Sequence, residues 1–122
     1  MILYKGGRDI AVHSSQVDVE KILSDMRNAL QQGKFFFAQR SKNMATLSAL
    51  GLLMSDVREE LLNLSFSDYI NGPEIDYGFP TSDRLWVFKK SISGQVIYIK
   101  FKVEYQTDGK VRVVSFHIDE TA

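Results

Sequence analysis

In the stretch GQVIYIKFKVEYQTDGKVRVVSFH, Ile97, Ile99, Phe101 and Val103 alternate with Tyr98, Lys100, Lys102 and Glu104. Strict alternation over this length marks a strand buried on one face. RLWVFKK before it and KVRVVSFHID after it are also strand-like, and SISG and QTDG supply the turns, with Asp108-Gly109 a strong hairpin signal. The last third therefore reads as an antiparallel meander. Earlier the period lengthens. After an opening strand in MILYKGGRDIAV, the segment SSQVDVEKILSDMRNALQQG places Val19, Ile22, Leu23, Met26, Ala29 and Leu30 at three- and four-residue spacing. That is a one-sided helix, which Ser15 or Asp18 caps and Gly33 ends. KFFFA follows as a short strand whose three phenylalanines are expected to be buried on both faces.

SKNMATLSALG predicts a second helix with Met44, Leu47 and Leu50 inward, and MSDVREELLNL a third. Ser55 is the expected N-cap of the third, with Asp56 and Glu59 near the positive end of its dipole. SFSDYINGPEIDYGFPTSD then loses periodicity, and Gly72-Pro73, Gly78 and Pro80 predict a loop of about a dozen residues, a length often tied to function. Helices first and an antiparallel sheet after define an α+β fold. The 122 residues suit one domain, with no linker or repeat to divide them.

Turn length decides which side chains meet. A four-residue loop over 106–109 sets Tyr98 against His117 and Lys100 against Ser115, whereas a two-residue turn at Asp108-Gly109 sets Lys100 against His117. Both registers put Ile97, Ile99, Phe101 and Val103 on a core face with Val114, Phe116 and Ile118. The opposite face collects Tyr98, Lys100, Lys102, Ser115 and His117. Through the SISG turn, with residues 87 and 98 as neighbours, Val87 and Lys89 join it, while Trp86 and Phe88 turn inward. Directly opposed side chains lie about 5 Å apart at Cβ, close enough to act on one small group.

Formal net charge is zero, so the whole chain is not a polyanion binder, but the charges are unevenly spread. From Ser55 to Asp83, seven acids stand against Arg58 alone, a net of −6; from Arg84 to His117, seven bases stand against Glu104 and Asp108, a net of +5. A basic sheet beside an acidic segment can hold an anion locally, or both can be solvated faces. No cysteine is present, which excludes disulfides, thiolate catalysis and thiolate-bound zinc. The two histidines, His13 and His117, lie far apart in sequence, so neither a metal site nor a cofactor is expected. There is no P-loop, dinucleotide fingerprint or nucleophile elbow. No apolar run approaches the roughly 18 residues that span a membrane, and MILYKGGRDIAV is not a signal peptide, so a cytoplasmic protein with no membrane partner is expected.

LSALGLLMSDVREELLNLSFSDYINGPEIDY, LWVFKKSISGQVIYIKFKV and VVSFH, in that order, resemble the MqsR (motility quorum-sensing regulator) family of toxins from bacterial type II toxin–antitoxin pairs. The carrying residues are Leu64-Ser65 with Asp68-Tyr69, the Trp86 strand, Gly94 with Ile97-Tyr98-Ile99-Lys100, and Ser115-Phe116-His117. The likeness runs from about Arg40 to Glu120, dividing the chain into an N-terminal extension over 1–40 and a toxin core over 41–122. The resemblance implies a RelE-like fold, with N-terminal helices on one face of the antiparallel sheet. It also implies an endoribonuclease that cuts messenger RNA without a metal, is restrained by a cognate antitoxin (one option being a helix-turn-helix protein), and either needs the ribosome or does not. In such chemistry a ribose 2′-hydroxyl attacks the adjacent phosphate, so a base, an acid and phosphate-holding cations are required.

On this likeness the catalytic candidates are Tyr98, at a position implicated in catalysis, His117, where better-known members carry lysine, and Lys100. Lys89, Lys102, Asn71 and Arg84 are the substrate-binding candidates. His117 would exchange a proton near neutral pH more readily than lysine. Two departures stand out: Asn71 and Val87 occupy places where family members can carry lysine and glutamine. The alternative reading is a non-catalytic module that binds RNA or protein through the same basic face.

Overall fold

The computed structural model describes residues 4–5, 8–9 and 13–121. Tyr4–Lys5 (β1) and Arg8–Asp9 (β2) pair antiparallel, and the rest of the expected opening strand lies outside the described residues. Helix α1 (Gln16–Gln31) starts at Ser15, whose Oγ accepts the Asp18 N–H at 3.2 Å, and stops before Gly33 at φ 74°. Val19, Ile22, Leu23, Met26, Ala29 and Leu30 are all buried. The helix expected as an extension is thus built into the core.

A five-stranded sheet runs in the order β3-β7-β6-β5-β4, with β3 Phe35–Phe37, β4 Tyr69–Glu74, β5 Leu85–Ile92, β6 Gln95–Val103 and β7 Val111–Ile118. It is mixed rather than purely antiparallel, because β3 pairs parallel to β7. An apolar triplet carries no directional information, and the topology puts β3 at an edge, where one face stays wet. Phe37 is buried while Phe36 is exposed, with the Arg112 guanidinium 4.3 Å from its ring centroid, so burial on both faces does not hold.

β4 occupies ground that reads as loop. Its pairing with β5 shifts register between Tyr69 and Asn71 and again before Glu74, which erases any period-two signal. Gly72 is required there: at φ 129°, a Cβ would meet Leu85 O at 3.0 Å and Trp86 Cα at 3.1 Å.

Ser93 and Gly94, at φ 53° and 80°, make a two-residue type I′ turn between β5 and β6. The register therefore sets Lys89 against Tyr98 and Val87 against Lys100, two residues from the sequence expectation but on the same face. Between β6 and β7, Tyr98 faces His117 and Lys100 faces Ser115, as a 106–109 loop requires. Nearer the turn the register slips, pairing Phe101 with Val113 and Lys102 with Arg112. Val114 is the extra residue of this bulge. It leaves the core face, where Val111 and Val113 take the place expected for it.

Helix α3 (Met54–Leu62) and α1 pack Val57, Leu61 and the α1 stripe against Phe88, Ile97, Ile99, Phe101 and Phe116. Leu53, not Ser55, occupies the N-cap of α3, and Asp56 Oδ2 accepts the Leu53 N–H at 2.8 Å. Helix α2 (Ser41–Leu50) turns Asn43, Thr46 and Leu47 inward and leaves Met44 exposed. The cause is β7, whose outer edge beyond β3 has no strand partner among the described residues. The Phe116 N–H donates to Asn43 Oδ1 at 3.0 Å and the Ile118 N–H to Thr46 Oγ1 at 2.9 Å. Polar side chains of α2 thereby stand in for a sixth strand and close the edge. The fold is α+β, and among the described residues no helix is long and apolar enough to cross a membrane.

Candidate functional site on the Tyr98 face

The helix-free side of the sheet presents two cross-strand rows. One runs Asn71, Val87, Lys100, Ser115; the next runs Lys89, Tyr98, His117. In the second row the Tyr98 and His117 rings stack at 5.4 Å between centroids and 23° between planes. His117 Nδ1 lies 3.0 Å from the Ile118 carbonyl oxygen. A carbonyl only accepts, so Nδ1 carries the proton in this contact and the neutral ring presents Nε2 as an unprotonated acceptor. His117 borders two shallow pockets of about 240 and 260 Å³, both shared with Lys42 and Glu120. Backbone register and the hydrogen bond thus orient one proton-accepting nitrogen beside a phenol.

The lysines are less available than their positions suggest. Lys89 Nζ lies 2.6 Å from Asp119 Oδ2, and Lys100 Nζ lies 3.4 Å from Glu74 Oε1. Glu74 is also held by the amide of Asn71, a substrate-binding candidate. Lys102 is 2 % exposed, with Asp76 at 2.9 Å and Ser82 at 3.0 Å. It anchors the 75–84 loop and offers no surface to a ligand. For Asp76, burial opposes the charge, but Lys102 and the Gly78 and Phe79 N–H groups outweigh it and hold the carboxyl below its ordinary range. Arg84 stands apart from both rows, just before β5, bonded to the Pro80 and Ser82 carbonyls.

Two cations at this site were not anticipated. Arg40, ahead of α2, donates to Ser115 Oγ at 3.3 Å and the Val114 carbonyl at 3.4 Å, beside Lys100. Lys42 reaches the His117 pockets and pairs with Glu120 at 3.4 Å in a largely solvent-exposed contact. Neither had a local signal, because both arrive through the docking of α2 on β7, more than seventy residues away in the chain. Asp119 was also missed. Lys89 and then Thr121 hold its carboxyl down at about 2.

The structure therefore brings Tyr98, His117, Lys89, Lys100 and Asn71 together, keeps Lys102 on the same face but buried under the 75–84 loop, and sets Arg84 elsewhere. No family model matches this chain, and comparison with curated proteins finds no match.

Proposed function

We propose that the chain is an endoribonuclease of the MqsR-like, RelE-like toxin class, working in the cytoplasm on messenger RNA without a metal and restrained by a cognate antitoxin. The observation that carries the reading is the Tyr98–His117 stack with His117 Nδ1 on the Ile118 carbonyl, which leaves Nε2 as the nitrogen that can accept a proton. In a 2′-hydroxyl attack, Nε2 takes the 2′ proton as the oxygen closes on phosphorus. The resulting imidazolium, or the Tyr98 hydroxyl, returns a proton to the departing 5′ oxygen. Charge on the pentacovalent phosphate falls to Arg40, Lys42 and Lys100, the last after Glu74 gives way.

The test is cleavage of a long messenger RNA by purified protein in EDTA, alongside His117→Ala and Tyr98→Phe. Fragments ending in 2′,3′-cyclic phosphate are expected, reduced about 100-fold or more without His117, the range of general acid–base contributions. Intact RNA, both free and on translating ribosomes, would sink the proposal, as would cleavage by both variants equal to the parent's.

Val87, buried and apolar, and Asn71, bonded to Glu74, stand where family members can carry glutamine and lysine, which favours a second reading, a module that binds RNA or protein through this face without chemistry. It predicts salt-sensitive retention of RNA with no strand scission.

A further inference from the structure

Seven basic residues follow Asp83, and six of them, Lys89, Lys90, Lys100, Lys102, Lys110 and Arg112, sit in ion pairs. Arg84 has no carboxylate partner among the described residues. Its guanidinium makes only long contacts to the Pro80 and Ser82 carbonyls, at 3.4 and 3.5 Å. It also lines a pocket of about 390 Å³, larger than either pocket beside His117. That volume falls in the range of roughly 300–1,000 Å³ usual for small-molecule sites. The pocket lies on the α1 side of the sheet, opposite the Tyr98 face.

Its chemistry is mixed in a specific way. Trp86, half-buried and 6.3 Å from Tyr69 between ring centroids, and Tyr105 supply aromatic surface. Asp18 and Asp83 supply carboxylates. Lys21 is engaged by Asp25 at 2.8 Å, and Tyr105 donates to the same Asp25, which leaves Arg84 as the available cation. One Asp83 oxygen accepts the Gln106 N–H at 3.2 Å, leaving the other for a ligand. A bare anion gains Arg84 but meets two carboxylates. A flat ring bearing N–H donors and one anionic group satisfies all three kinds of group at once.

We infer that this pocket is a second binding site, taking a nucleoside monophosphate with an amino-bearing base, either free or as a unit of an RNA strand. The ring lies against Trp86, its amino group donates to Asp83 or Asp18, and its phosphate pairs with Arg84. The site does not depend on the chemistry proposed for the other face.

Trp86 is the chain's single tryptophan, so its fluorescence reports this pocket. Titration with AMP is expected to change that emission saturably. Inorganic phosphate should leave it unchanged, and adenosine should bind about tenfold more weakly, the loss expected with one charge-assisted contact. Arg84→Gln should weaken AMP binding by a similar factor, Arg84→Lys should restore part of it, and His117→Ala should leave it intact. A short oligoadenylate that displaces AMP assigns the ligand to RNA; failure to displace assigns it to the free nucleotide. No saturable response at millimolar AMP, or equal affinity in Arg84→Gln of native-like circular dichroism, would overturn the site. Loss in His117→Ala alone would overturn its independence from the opposite face.

Discussion

Asp119 closes the end of the Tyr98 row, and its pairing makes a stability claim that pH can test. Its Oδ1 accepts from both the N–H and the hydroxyl of Thr121, at 3.0 and 2.8 Å, while Oδ2 meets Lys89. Lys89 first, and Thr121 after it, lower the carboxyl from 3.8 to about 2. The unfolded chain, lacking these partners, takes up its proton at the higher value. The contribution is therefore fully present above the ordinary value of 3.8 and is lost as pH falls toward about 2. Asp119→Asn should accordingly be less stable than the parent in urea melts at pH 6, with the gap narrowing between pH 4 and pH 2.5. A gap that stays constant over that interval would mean that Asp119 stabilises by packing and neutral hydrogen bonds instead. The same residue supports Lys89 beside Tyr98, so the variant also reports whether a free Lys89 improves anion binding.

Among the elements, α2 carries the clearest case of one segment answering another's need. Asn43 is fully buried, donates from Nδ2 to the Ala38 and Val114 carbonyls at 2.8 and 3.0 Å, and accepts from the Phe116 N–H. Removing it strands backbone groups on an edge that no strand covers. Asn43→Ala should cost about 2–4 kcal/mol, several lost partners each worth about 1–3 kcal/mol with partial relief from water, measured as a shift in urea midpoint. A change below about 0.5 kcal/mol would show that solvent can replace the asparagine freely.

This element also marks where sequence reading stops. The α1 stripe and the alternation of Ile97, Ile99, Phe101 and Val103 were legible, because each pattern is periodic within one segment and meets a continuous apolar partner. In α2, Leu47 and Leu50 meet the core as their spacing suggests, but Met44 misleads, since the helix also faces backbone N–H groups of β7 through Asn43 and Thr46. The Val114 bulge and the irregular β4 were hidden for a related reason: each breaks the period that would have announced it. Tyr98 and His117 could be placed on one face from alternation alone, but Arg40, Lys42 and Asp119 needed contacts that only the fold supplies.

At the scale of the whole molecule, the contrast between an acidic segment and a basic one resolves into internal pairing. Glu60 meets Lys90 at 2.9 Å, Glu74 meets Lys100, and Asp76 meets Lys102, so three carboxylates of the acidic stretch fold onto three lysines of the basic one. The strands thus look cationic in sequence and are largely neutralised in space. The three pairs differ in kind. Lys102–Asp76 is nearly shut off from water, and removing one partner there leaves a buried charge, a change that typically costs about 3–5 kcal/mol. Lys100–Glu74 keeps about a quarter of each side chain exposed (23 % and 28 %), so the fold depends on it far less.

That difference makes Glu74 the place to ask whether the acidic segment restrains the Tyr98 face. Glu74→Gln keeps the shape, removes the charge opposing Lys100 and should leave thermal stability close to the parent's. Binding of single-stranded RNA to a His117→Ala background, which separates binding from cleavage, should then tighten about three- to tenfold at low salt. The slope of log affinity against log salt should steepen by roughly one phosphate contact, because one more lysine is free to release a counterion. Asp76→Asn is the opposing control: it should loosen the 75–84 loop and lower stability. If Glu74→Gln leaves both affinity and salt slope unchanged, Lys100 does not meet the RNA backbone, and Arg40 and Lys42 remain as the cations of that face.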